Sequence, residues 1–299
     1  MTCAPLKLVR EAKIRDLLPD ANARRRFEAS GVMAHRGELF VVFDDGTAVA
    51  RLAADLRPCE SNALVGTAPL DQGYEGIAFN PRKRRFCLLV ESVPVDKGGG
   101  VHQAEIVEYS AALKFVRRRP LEFIFESRNK GFEALAFVRR GNSDYALALC
   151  EGNKCCGGKR GRQPGGGRIQ LFEKKRTKWA HVGTVKLPKS LPFVDFSGMS
   201  LAEGRLAVVS QENSQLWVGA FQESTWQWRD EGRMYEFPRS PQGKIRYGNI
   251  EGVAWIGKRR IVAVSDRRKR DQPRRCAAQD QSIHVFELPR SRSAGAGGA

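Results

Sequence analysis

The sequence predicts an all-β fold: a five-bladed β-propeller whose last blade is closed by an N-terminal strand. Three observations predict it. One short motif recurs five times, its spacing leaves room for about four strands per copy, and the last copy runs out of chain one strand short.

Three copies of the motif align without a gap: SGVMAHRGELFVVFDD from Ser30, SGMSLAEGRLAVVSQE from Ser197 and EGVAWIGKRRIVAVSD from Glu251. Two more align with small insertions, EGIAFNPRKRRFCLLVE from Glu75 and EALAFVRRGNSDYALALCE from Glu133. Each opens on Ser or Glu, continues with Gly or Ala and an apolar residue, and crosses a polar turn into a strand-like run. Each closes on a carboxylate: Asp45, Glu91, Glu151, Glu212 and Asp266.

The strands between openings are legible as short runs of β-branched, aromatic and aliphatic residues bounded by turns. After Glu75 they are IAF, FCLLV, EIVEY and LEFIF; after Glu133, LAF, YALAL, RIQLF and HVGTV; after Ser197, MSL, LAVV, QLWVGAF and the weaker RMYEF. After Glu251 only VAW, IVAV and IHVFEL remain. Residues 6–14, LKLVREAKI, alternate like a strand and precede the first motif, so they supply the missing edge. A β-sandwich would not repeat one two-strand unit five times, and no long segment holds a helical period. Residues 1–289 therefore read as one domain, and residues 290–299, RSRSAGAGGA, as a disordered tail.

Composition bounds the function. Lys and Arg number 51 against 33 Asp and Glu, a net charge of +18, which favours anionic partners. Apolar runs are too short for a helical membrane span, and the first twenty residues lack the apolar core of a secretory signal, so a cytoplasmic monomer away from membranes is expected. Seven cysteines, an odd number without regular spacing, are expected to be reduced thiols, and they lack zinc-site pairing.

In a propeller the motif starts the innermost strand and ends the next one out, which brings both ends to one mouth of the central channel. Ser30, Glu75, Glu133, Ser197 and Glu251 are expected there with Asp45, Glu91, Glu151, Glu212 and Asp266. The small residue after each opening suits backbones crowded at an axis. Packed carboxylates repel one another unless a cation compensates, and a hard divalent ion, calcium above all, accepts many oxygen ligands. Arginine is another compensator, and a Glu at a strand start can also simply bond the neighbouring backbone. Basic loops follow on the same mouth at residues 92–103, 152–168 and 267–281. Arg160, Arg162, Arg267, Arg268 and Arg274 are candidates to grip an anionic group there, with His102 also in a mouth loop. A Ser–His–Asp hydrolase is poorly supported: there are four histidines, and no GxSxG elbow accompanies them.

The ordered openings Ser, Glu, Glu, Ser, Glu, carried by SGVMAHRGELFVVFDD, YEGIAFNP, FEALAF, FSGMSLAEGRLAVVSQENSQLW and IEGVAW, resemble the SdiA-regulated propeller family. They are similar also to the wider phytase-like (esterase-like) propellers and, more distantly, the calcium-activated nucleotidases. The resemblance implies a propeller with a divalent ion at the axial mouth and phosphoester or ester chemistry. Two functions follow. One is a metal-binding propeller, calcium as its ion, that binds or hydrolyses a phosphorylated or anionic small molecule. The other is a non-catalytic propeller whose basic rim binds nucleic acid or an acidic protein.

Overall fold

In the computed structural model the described residues are 3–19, 26–66, 72–95, 100–125, 131–270 and 272–290. The expected tail lies outside them except for Arg290, as do residues 96–99 of the first basic loop.

The chain is all-β with a few helical turns. Two short strands come first, β1 (Ala4–Pro5) and β2 (Lys7–Lys13), followed by one helical turn, α1 (Ile14–Leu17). The first motif forms β3 (Ala29–His35) and β4 (Glu38–Phe43), with β5 (Gly46–Ala53) and β6 (Ala63–Val65) outside them. The second forms β7 (Gly76–Asn80), β8 (Arg85–Pro94), β9 (His102–Tyr109) and β10 (Phe115–Phe125). The third forms β11 (Phe132–Arg140), β12 (Ser143–Cys150), β13 (Arg168–Lys174) and β14 (Trp179–Lys186). The fourth forms β15 (Gly198–Ala202), β16 (Arg205–Ser210), β17 (Gln215–Gln222), β18 (Gln227–Trp228) and β19 (Arg233–Glu236). The last forms β20 (Ile250–Trp255), β21 (Arg260–Ser265) and β22 (Ser282–Glu287).

Neighbouring strands within each motif unit pair antiparallel. Two sheets of four strands stand alone, β3–β4–β5–β6 and β20–β21–β22–β2. The second and third units are joined into eight strands by one parallel bridge, Leu121 to Trp179. The fourth gains β1 as a parallel addition to β19. The first strands of the units touch in a closed cycle: β3 to β7, β7 to β11, β11 to β15, β15 to β20, and β20 back to β3.

Each sheet buries both faces, which is why its middle strands read as near-continuous apolar runs. The core is divided among the gaps between adjacent units. Phe40, Val42 and Leu88 fill the first gap, and Leu89, Phe132 and Ala148 the second. Leu147, Val208 and Trp217 fill the third, Val209, Ile261 and Phe286 the fourth, and Val41, Val264 and Ile283 the last.

The N-terminal strand closes the last sheet as the sequence predicts: β2 pairs with β22 from Lys7–Glu287 to Lys13–Ser282. Burial keeps the His284 imidazole neutral by lowering its pKa. Its Nε2 accepts from the Ser265 hydroxyl at 2.8 Å, and its Nδ1–H donates to Glu11 at 3.0 Å. Tyr247 also donates to Glu11, at 3.2 Å. This Ser–His–Glu chain has the connectivity of a hydrolase triad, yet Ser265 and His284 are both buried in the sheet. It staples the N-terminal strand to the end of the chain.

The expectation of reduced thiols is corrected at one pair. Cys150 ends β12, and a tight turn with left-handed backbone at Lys154 and Cys155 returns Cys155 to it, with Cα atoms 5.2 Å apart. The two are joined as a disulfide. Spacing alone hid the pair because the turn, not the sequence separation, sets the approach. Cys3, Cys59, Cys87, Cys156 and Cys276 are free thiols.

Candidate functional site: an acidic channel mouth beside a basic cleft

The small residues after each opening meet at the axis. A Cβ on Gly252 would come 2.8 Å from the Gly31 Cα, and one on Gly31 would come 2.9 Å from the Gly76 Cα. The channel there narrows to a cavity of about 10 Å³, lined by Ser30, Gly76, Glu133, Gly198 and Glu251 among others, room for roughly one water. Ser30 lines this waist and Ser197 precedes its Gly198; both are buried, with their hydroxyls committed to backbone: Ser30 donates to the Tyr74 carbonyl and Ser197 to the Ile250 carbonyl at 2.8 Å. They tie their own unit to the next.

The strand register revises the second acidic ring. Gly31 pairs with Val42, Gly76 with Leu89, Ala134 with Leu149, Gly198 with Val209 and Gly252 with Val264. Two residues beyond each partner stand Asp44, Glu91, Glu151, Gln211 and Asp266. The hairpins of the first and fourth units are one residue shorter than that of the last, so the gapless alignment slips by one there. A one-residue slip moves a side chain to the other face of a strand. Asp44 therefore takes the place expected for Asp45, and Gln211 the place expected for Glu212. Asp45 stands beside Asp44 and helps raise its pKa. Glu212 turns outward into a two-pronged ion pair with Arg162.

Two acids missed in the sequence complete the mouth. Asp195 is buried and accepts a hydrogen bond from the Ser210 hydroxyl. Glu28 lies close enough to raise both Asp44 and Asp266. Each stands two residues before a serine opening, Ser197 or Ser30, hence on the same side of an extended chain. In the second and third units, whose openings are Glu75 and Glu133, that position is Gly73 or Gly131. A Cβ on Gly131 would fall 2.2 Å from Glu91 Cγ, so the glycine leaves room for that carboxylate.

Burial and mutual repulsion raise the pKa values of several of the clustered carboxylates. Burial first, then Glu91, Glu251, Asp44 and Glu151, raises Glu75 well above its usual range. Burial, then Glu151, Glu75, Glu91 and Glu251, does the same to Glu133. Glu251 is pushed up to about 8, Asp44 to about 7, and Asp195 and Asp266 to about 6, burial being the largest cause each time. Glu91, Glu133 and Glu151 each place one carboxylate oxygen within 4.8 Å of the others'. The donors are all oxygen, which fits a hard cation such as calcium better than zinc. This triad can hold a metal.

One lysine reaches into the acidic field. Lys269 Nζ lies 3.8 Å from Glu251 and 3.3 Å from the Gln211 side-chain oxygen. Burial lowers its pKa, but Glu251, Asp266, Glu133 and Glu151 outweigh burial and raise it. Lys269 also borders a cleft of about 500 Å³ between the fourth and last units, lined by Arg162, Gln211, Glu212, Lys244, Ile245, Gly248, Gln272, Pro273, Arg275 and Cys276.

The other expected anion-binding residues are dispersed. Arg160, Arg267 and Arg274 are exposed and do not line the cleft. Arg268 donates to the carbonyls of Lys269 at 3.0 Å and Gln272 at 2.5 Å, bracing the loop that carries Lys269. His102 is not in a loop: it begins β9 and is buried.

No family model matches the sequence, and no curated protein matches it. Among solved structures, the glutaminyl cyclase of Myxococcus xanthus superposes with a TM-score of 0.53 at 11% identity, covering 97% of this chain and 100% of that one. A GH32 beta-fructofuranosidase of Bombyx mori gives 0.50 at 9% identity over 87% of this chain and 59% of that one. A luciferin-regenerating enzyme gives 0.49 at 8% identity over 94% and 95%. The similarity is to β-propellers and is one of fold.

Proposed function

We propose that this chain is a five-bladed propeller of the SdiA-regulated, phytase-like kind. It would hold a divalent cation, calcium as the best fit, in its channel mouth and bind a phosphorylated or otherwise anionic small molecule beside it. The observation that carries this reading is the triad of Glu91, Glu133 and Glu151, whose oxygens gather within 4.8 Å in a protein of net charge +18. Crowding three half-buried carboxylates together is costly without a compensating cation. Glu75 and Glu251 act on the triad electrostatically and would adjust their protons as a cation enters. A bound cation supplies Lewis acidity toward a phosphoryl oxygen. Arg162 and Lys269, on the basic side, would orient the anion.

The test is a panel of phosphomonoesters, phosphodiesters and nucleotides assayed with and without calcium, magnesium and manganese. Metal-dependent turnover, lost in Glu133→Gln, is the expected result. No turnover with any ion removes the phosphoesterase and leaves a binding protein.

A second reading, a non-catalytic propeller for nucleic acid or an acidic protein, is favoured by a cluster of cations on the joined second and third units. Arg85, Arg117, Arg119 and Lys174 converge there on one buried carboxylate, Glu108. Single-stranded nucleic acid binding that weakens steeply with salt would support it; affinity indifferent to salt would not.

A further inference from the structure

The acidic mouth has one gap, and the basic cleft opens at that gap. The position two residues past the strand partner is a carboxylate in every unit except the fourth, where it is Gln211. Gln211 is also a wall of the 500 Å³ cleft. On the cleft's lining stand four cations, Arg162, Lys244, Lys269 and Arg275, against one carboxylate, Glu212, which Arg162 already pairs. We infer that this cleft between the fourth and last units is a binding site for a phosphomonoester of a small organic group, with Lys244, Lys269 and Arg275 as the phosphate-binding side chains.

The walls fit both halves of such a ligand. Arg275 is braced by donating its Nε–H to the Ile245 carbonyl at 2.8 Å, which leaves its terminal amino groups for an anion. Lys244 has no ion pair among the described residues. Lys269 stands between the cleft and the mouth, touching Gln211 on one side and Glu251 on the other. Ile245, Pro273 and the buried Cys276 give an apolar wall, and Gly248 a wall without a side chain. The volume is that of a small-molecule pocket. A glutamate at position 211 would continue the acidic ring and repel a phosphate; glutamine lets it approach. Sequence reasoning placed the anion on arginines of the rim loops. The cleft draws instead on Lys244 and Arg275, brought together by the 239–245 turn and the 272–276 segment.

The inference rests on the proposed anion-binding reading but separates from its metal. Titration calorimetry with phenyl phosphate, and with phenol and inorganic phosphate as the two halves, is run in EDTA and again in calcium. Phenyl phosphate is expected to bind in both buffers, more tightly than either half. Lys244→Ala and Arg275→Ala are each expected to weaken it about 10-fold, and Gln211→Glu at least as much. Arg160→Ala and Arg274→Ala should leave it unchanged. Thermal melting checks that each variant folds, and calcium titration of Lys244→Ala and Arg275→Ala should match wild type. Phenyl phosphate binding that survives Lys244→Ala, Arg275→Ala and Gln211→Glu overturns the inference. Binding that needs calcium and is lost only in Glu133→Gln also overturns it, while sparing the metal reading. Binding at the cleft in a protein that takes up no calcium upholds the inference and removes the metal.

Discussion

Replacing Glu251 by glutamine should stabilise the metal-free protein at neutral pH. The Glu251 side chain is only 13% exposed, and its pKa is pushed from 4.5 to about 8, first by burial, then by Asp266, with Lys269 only partly offsetting this. A carboxyl whose folded pKa is raised favours folding while it is protonated. That contribution is complete below the unfolded value and is lost as pH rises through the folded one, here across pH 4.5 to 8. One pKa unit corresponds to about 1.4 kcal/mol, so between pH 5 and pH 7 this group alone should withdraw about 2–3 kcal/mol from stability. Glutamine keeps the shape and has no proton to lose. Urea unfolding of wild type and Glu251→Gln in EDTA at the two pH values measures the difference, including the relief that losing the Glu251 charge gives Glu75 and Glu133. The gap should move toward the variant by about 2–3 kcal/mol from pH 5 to pH 7. A gap that stays the same at both values would refute the claim that Glu251 is held protonated at the mouth.

Other consequences concern the ring itself. Gly252→Ala places a methyl 2.8 Å from the Gly31 Cα and 2.8 Å from Val264 Cγ2, and should cost about 1–3 kcal/mol in thermal or urea unfolding. Glu11→Gln weakens the closing staple and should cost about 1–2 kcal/mol at pH 7. The His284 hydrogen bond holds Glu11 below its usual range, so its contribution is present above the unfolded pKa and fades as pH falls; the variant's deficit should shrink in acid. Ser265→Ala should leave any hydrolytic activity intact, since that hydroxyl is enclosed in the sheet; a loss of turnover with unchanged melting would contradict this.

The fold was legible because each unit's middle strands are apolar on both faces and are cut by turns. RMYEF and LKLVREAKI pair as strands where the sequence placed them. What the sequence could not display was hairpin length. Aligning Ser30, Ser197 and Glu251 without gaps made Asp45 and Glu212 look equivalent to Asp266, and a strand's period of two turned that one-residue error into the wrong face. A clue was present: Glu28 and Asp195 stand two residues before the two serine openings, as if the acid had moved along one side of the strand. The cleft was not legible, because Lys244 and Arg275 meet only through the folding of two loops about thirty residues apart. The Cys150–Cys155 bond depends likewise on the turn between them.

The most direct test of a cation at the channel mouth is calcium binding to the purified, EDTA-stripped protein, followed by titration calorimetry beside the Glu133→Gln variant. One calcium per chain is expected, with affinity that rises with pH as Glu75, Glu133 and Glu251 give up protons, and binding abolished by the single substitution. No uptake by wild type, or equal uptake by Glu133→Gln, would contradict it.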